Sequence, residues 1–203
     1  LAFILIFAFI STAMMSISSG EKEKTKYKID TEKSKVKWRG EKYIGESQSG
    51  VIDIKKGFIE YGDKGPKSCK VIIDMESIKC TDDMEDKWKN KLVNHLKSPD
   101  FFSVDSFPTA KFVCDNFVPV EGKSHKYKAK GKMTIKGNTN TLTIPVGTDR
   151  SGENAHATAK FSFDRSKWNV RYGSKSFFDS LGDKAIKDMI KIEFYVKAYN
   201  KGT

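Results

Sequence analysis

Read as a pattern of apolar and polar positions, most of the chain repeats with a period of two. Residues 35–39 alternate strictly, with Val36 and Trp38 on one face and basic residues on the other. That is the pattern of a half-buried strand. Residues 126–136 set Tyr127, Ala129, Gly131, Met133 and Ile135 against lysine and threonine. The same rhythm places Cys69, Val71, Ile73 and Met75 on one side of 68–78, and Phe112 and Cys114 on one side of 109–117. It recurs as Leu142, Ile144 and Val146, then Ala157, Ala159, Phe161 and Phe163, and finally Ile190, Ile192, Phe194, Val196 and Ala198. Glycine-bearing turns fall at 45–50, 62–66 and 137–138. A hairpin is predicted at 55–57, between the apolar runs 51–54 and 58–61.

One stretch departs from this rhythm. Met84, Trp88, Leu92 and Leu96 recur every four residues, which predicts one amphipathic helix. Asp82 and Glu85 have the spacing of a capping box, and Pro99 ends the pattern. Phe101, Phe102, Phe107 and Phe112 follow within a few residues. The helix stripe is expected to lie against one end of the strands, with Phe101 and Phe102 as a plug or gate.

These elements predict an all-β fold with one inserted helix: an extended, lipocalin-like antiparallel β-barrel of about 8–10 strands. A two-sheet sandwich is the structural alternative. Long strands apolar on one face favour closure, because a flat sheet would expose its edges and its apolar face. The inward positions mix large residues with Ala129, Gly131, Ala157, Ala159 and Ala198. Either the small residues seat bulky partners in a solid core, or they leave a lumen able to hold one ligand.

Residues 1–10 form an unbroken apolar run followed by small and hydroxylated residues. Residues 1–19 are therefore expected to be a secretory signal peptide whose charged start precedes Leu1. Residues 20–26 are expected to be a flexible linker, and 27–200 the barrel domain of a periplasmic or secreted protein. The three cysteines, Cys69, Cys80 and Cys114, allow at most one disulfide within the chain.

The net charge of +11 comes almost wholly from lysine, with arginine only at 39, 150, 165 and 171. The lysines alternate with apolar residues as on the wet face of strands, which argues against nucleic acid as a partner. A basic exterior favours transient contact with a membrane surface, and self-association as a homodimer is a further expectation. His95, His125 and His156 lack metal-ligand spacing, and no nucleophile elbow, Walker loop or dinucleotide fingerprint occurs. Asp164 and Arg165 are expected to cap or pair. No catalytic residue and no metal site is assigned.

From Trp38 with Gly40 onward, a series of short motifs resembles the YceI-like family. The series continues with Asp74-Met75, Ser77-Ile78, His95 to Ser98, and Asp100-Phe101-Phe102. It then takes in Phe107-Pro108, Ala110, Phe112, and the run from Gly131 through Met133, Ile135 and Gly137. Asp164-Arg165, Trp168, Tyr172 to Ser174, and Leu181 to Asp183 complete it. The resemblance covers the region from about 27 to 199 and implies an exported barrel. In its lumen the barrel would hold a hydrophobic isoprenoid lipid, a polyprenyl lipid or isoprenoid quinone, with no cofactor.

Many members of that family carry a histidine after the first strand, where this chain has 45–50 with Ser47 and Gln48. Inward-facing ligand contacts are expected from Trp38, Ile73, Met75, Phe112, Met133, Ile135, Phe161 and Phe194. Phe101, Phe102, Phe177 and Phe178 are expected as cover or mouth. A filled structural barrel without ligand and a small-molecule enzyme are the alternative functions.

Overall fold

The computed structural model describes residues 24–200. The expected signal peptide and residues 20–23 of the expected linker lie outside the described residues. Eight strands close into one barrel in chain order. They are β1 (Thr25–Glu41), β2 (Ser47–Gly62), β3 (Gly65–Cys80), β4 (Thr109–Pro119), β5 (Lys126–Ile135), β6 (Asn138–Ser151), β7 (Asn154–Asp164) and β8 (Met189–Tyr199). Every neighbouring pair is antiparallel, and β8 returns to pair with β1. The one helix, α1 (Asp86–Lys97), sits between β3 and β4.

Because strands alternate in direction, the connections fall at two ends. Loop 42–46, the insertion 81–108, the turn 136–137 and the long loop 165–188 share what we call the helical end. Turns 63–64 and 152–153 and loop 120–125 share the opposite, closed end. The turn at 136–137 places Lys136 and Gly137 at φ of 48° and 73°, the left-handed pair a two-residue hairpin requires.

Three local expectations change. Residues 55–57 are no hairpin: β2 runs unbroken through them, with a register shift against β3 between Ile54 and Lys56. Gly57 serves close approach, since a Cβ there would lie 2.7 Å from Ile29 Cδ1 and from the Lys70 carbonyl oxygen. The capping box does not form. Glu85 occupies the N-cap without a side-chain bond, and Asp82 accepts instead from the Ser49 backbone N–H at 2.9 Å and from the Ser49 hydroxyl. Finally, Thr25 and Lys26, expected within the linker, belong to β1 and pair with Tyr61 and Glu60.

The closed end is sealed by tyrosines. Tyr27 and Tyr61 meet edge to face at 5.5 Å. The Tyr27 hydroxyl donates to the Gly152 carbonyl at 2.9 Å, and Arg150 donates to Gly62 at 3.1 Å. The Tyr61 hydroxyl pairs with Thr148, and burial pushes its pKa up to about 12.

Candidate functional site

The inward faces of the strands do not meet across the barrel. They enclose a cavity of about 910 Å³ that extends toward the helical end. Two glycines show how large rings share the wall with open space. A Cβ at Gly50 would lie 2.6 Å from the Trp38 ring, and one at Gly131 would lie 2.7 Å from the Phe112 ring. These glycines seat neighbouring rings, whereas Ala129 and Ala157 border the cavity itself. The two readings of the small residues therefore hold at different positions.

Ten of the twelve expected contacts line this cavity: Trp38, Ile73, Met75, Phe101, Phe102, Phe112, Met133, Ile135, Phe161 and Phe194. Phe177 and Phe178 do not. They lie on the outside of loop 165–188, 39% and 48% exposed, with the Arg171 guanidinium 4.8 Å from the Phe177 ring. Their aromatic character says nothing about direction, and no strand or helix period at 177–178 supplies one. Pattern reading also passed over wall residues such as Ile52, Ile54 and Ala110, although the alternation in β2 and β4 contained them.

Phe101 forms the roof. The segment after α1 folds back on the helix, with Phe102 N–H donating to Leu96 and Val104 N–H to Lys97. This sets the Phe101 ring edge-on to His95 at 5.4 Å and beside Tyr172 at 5.5 Å, with the Arg165 guanidinium 5.5 Å from it. Arg165 is itself anchored, donating to Val170 at 2.8 Å and pairing with Asp188 at 3.3 Å. Asp164 accepts from the Ser166 backbone N–H, so the expected cap-and-pair roles of Asp164 and Arg165 both hold. Leu92, Leu96, Met84 and Trp88 all face the cavity, and Trp88 remains half exposed at its rim.

Polar groups gather where the cavity meets the helical end: Gln48, Lys91, His95, Tyr172 and Lys184. Gln48 Oε1 is buried and has no hydrogen-bond partner among the described residues. A buried acceptor left bare is costly, so this atom is where a ligand's donor would be accepted. Glu41 is held at the same rim by Lys191 and Lys187 at 2.5 and 3.1 Å, and their hydrogen bonds pull its pKa down to about 2.

The rest of the lining is mostly hydrocarbon, with Lys42 and Glu46 at the helical end, Arg165 beside the Phe101 ring, and Cys69 and Thr148 toward the closed end. Among the described residues no group of three or more His, Cys, Asp or Glu side chains is placed to hold a metal. His156 lies 4.0 Å from Asp149 and stacks on Tyr195, away from the cavity lining. The arrangement can shield a long apolar chain and meet one polar end.

No curated protein matches the chain. Among solved structures, BcnA from Burkholderia cenocepacia superposes with a TM-score of 0.68 at 24% identity, over 84% of this chain and 99% of that one. A polyisoprenoid-binding domain from Saccharophagus degradans, implicated in plant cell wall breakdown, matches with a TM-score of 0.60 at 11% identity, over 85% and 97%. The YceI protein of Campylobacter jejuni matches with 0.54 at 18% identity, over 80% and 85%. These are likenesses of fold. The family model for the YceI-like domain matches residues 27–198, so the chain belongs to the YceI-like family.

Proposed function

We propose that this protein is an exported carrier that holds one isoprenoid lipid, a polyprenyl lipid or isoprenoid quinone, in its barrel. The observation that carries this reading is the cavity of about 910 Å³, walled by hydrocarbon and polar mainly at one end. Burying a methylene contributes about 0.8 kcal/mol, so some fifteen of them supply roughly 12 kcal/mol before ordering costs. Such binding needs no catalytic group. The isoprenoid class is supported by the family and by the polyisoprenoid-binding domain that shares its fold. The polar end of the ligand faces Gln48 and His95.

Exchange takes place at a membrane surface. Tyr43, Ile44, Trp88, Phe177 and Phe178 are each exposed on segments at the helical end, and Lys175 lies over the Tyr43 ring at 4.3 Å. Aromatic residues beside cations suit the bilayer interface. The test is gentle purification followed by native mass spectrometry and organic extraction. The expected result is protein with an isoprenoid bound. Repeated recovery of empty protein that also refuses polyprenol and quinone probes would end this reading.

A further inference from the structure

One seam of the closed barrel is only partly laddered. Pairing between β6 and β7 runs only from Ser151 opposite Asn154 to Gly147 opposite Thr158. Beyond that point β6 stays with β5 as far as Asn138, and β7 stays with β8 as far as Asp164. The hairpin parts just short of Pro145, which has no N–H to offer a ladder. An outer groove of about 590 Å³ lies at this seam, lined by Pro145, Thr158, Ala159 and Tyr195 among others. Val146 and Phe194 line both the groove and the lumen, so a single layer of side chains separates the two. Ala159 and Thr158 border only the groove.

Capacity gives the seam a use. A water molecule takes about 30 Å³ in the liquid; with a carbon-sized group counted as one water, the lumen of about 910 Å³ holds roughly thirty carbons, or about six isoprene units. A longer chain whose polar end stays near Gln48 must leave the lumen at its deep side. That side is where Val146 and the groove lie. We propose that the groove is a second ligand subsite, taking the distal end of an isoprenoid chain that passes between Val146 and Phe194. The reorganisation required is a rotamer change in those two side chains, with no ladder bond to break. Lys123, Lys126, Lys160 and Glu193 also line the groove, and lysine stems can cover hydrocarbon while their ammonium groups reach water. This inference rests on the lumen being the lipid site.

The test offers the full chain a mixture of polyprenols from three to eleven units and reads the bound lengths by native mass spectrometry. Wild type is expected to retain chains beyond about six units. Ala159→Phe, which fills the groove from inside, and Thr158→Trp, which fills it from outside, should shift the bound lengths to about six units or fewer. Total occupancy by short chains should not change. Thr158 is exposed, so the second variant keeps the test intact if the first fails to fold. Identical length distributions in wild type and both variants would overturn the subsite and leave lumen binding intact. Failure of wild type to bind any length would remove both.

Discussion

Replacing Ala157 by Leu separates a carrier from a solid barrel. Ala157 lies on β7 opposite Thr148 and Val196, is 5% exposed, and points into the cavity. The substitution adds three carbons to the lumen. If those carbons displace about three ligand methylenes at ~0.8 kcal/mol each, binding weakens by about 2.4 kcal/mol, near sixtyfold. The ligand-free protein should lose little stability, because the new side chain grows into empty space. In a filled core the same change would overpack, at about 1–3 kcal/mol, lowering Tm by about 2–4 °C for each kcal/mol. Two measurements decide: thermal unfolding of delipidated protein, and polyprenol titration of the same sample. A variant that unfolds several degrees earlier and binds like wild type would refute the reasoning.

Three further outcomes are expected. Gln48→Leu removes an unpartnered acceptor, so the fold should hold. Ligands with a hydroxyl at the polar end should bind about 2- to 12-fold more weakly, and a flat titration would show that this end does not meet Gln48. Glu41 has its pKa pulled from 4.5 down to about 2 by Lys191 and Lys187. Its stabilising contribution is therefore present above pH 4.5 and lost as pH falls through 2; Glu41→Gln should flatten an acid titration of stability in that window. Cys69 and Cys114 face each other in register on β3 and β4, both buried. Antiparallel partners have Cα atoms about 4.5–5.5 Å apart, inside the range for a disulfide. Exchange with a small disulfide should join these two and leave Cys80 a thiol, adding about 4 kcal/mol for a loop of this length. Peptide mapping that finds Cys80 in the bridge would contradict that geometry.

The alternation in β5, β7 and β8 was legible because each strand presents one wet and one apolar face, so its inward residues follow from counting by two. The eight residues that follow from counting by two, Trp38, Ile73, Met75, Phe112, Met133, Ile135, Phe161 and Phe194, all line the cavity, whereas Phe101 and Phe102 stand out only as part of the aromatic run after α1. The count failed where alternation slips or is absent. In β2 the register shift at Ile54–Lys56 imitates a turn, since the lysine pair and Gly57 look like hairpin chemistry. Phe177 and Phe178 sit in a loop with no period to read, and only the fold shows that they point outward. The cavity was not legible either. Whether Gly131 leaves a void or seats the Phe112 ring depends on a neighbouring strand whose register no local pattern reveals. The parting of β6 from β7 is hidden for the same reason, although Pro145 marks its edge.

The closure of β8 on β1 has a consequence for how the chain acquires its structure. The ladder from Lys28 opposite Tyr199 to Arg39 opposite Lys191 joins the two extremes of the domain. Its contacts therefore have the greatest sequence separation in the fold, and such contacts slow folding because loop-closure entropy is lost before they form. Until the last eleven-residue strand is available, β1 and β7 are both open edges and the apolar interior faces water. That intermediate is the species at risk of edge-to-edge association. Under the proposed function, a lipid present at that moment would cover the surface that most needs covering and would act as a partner in maturation before it acts as cargo.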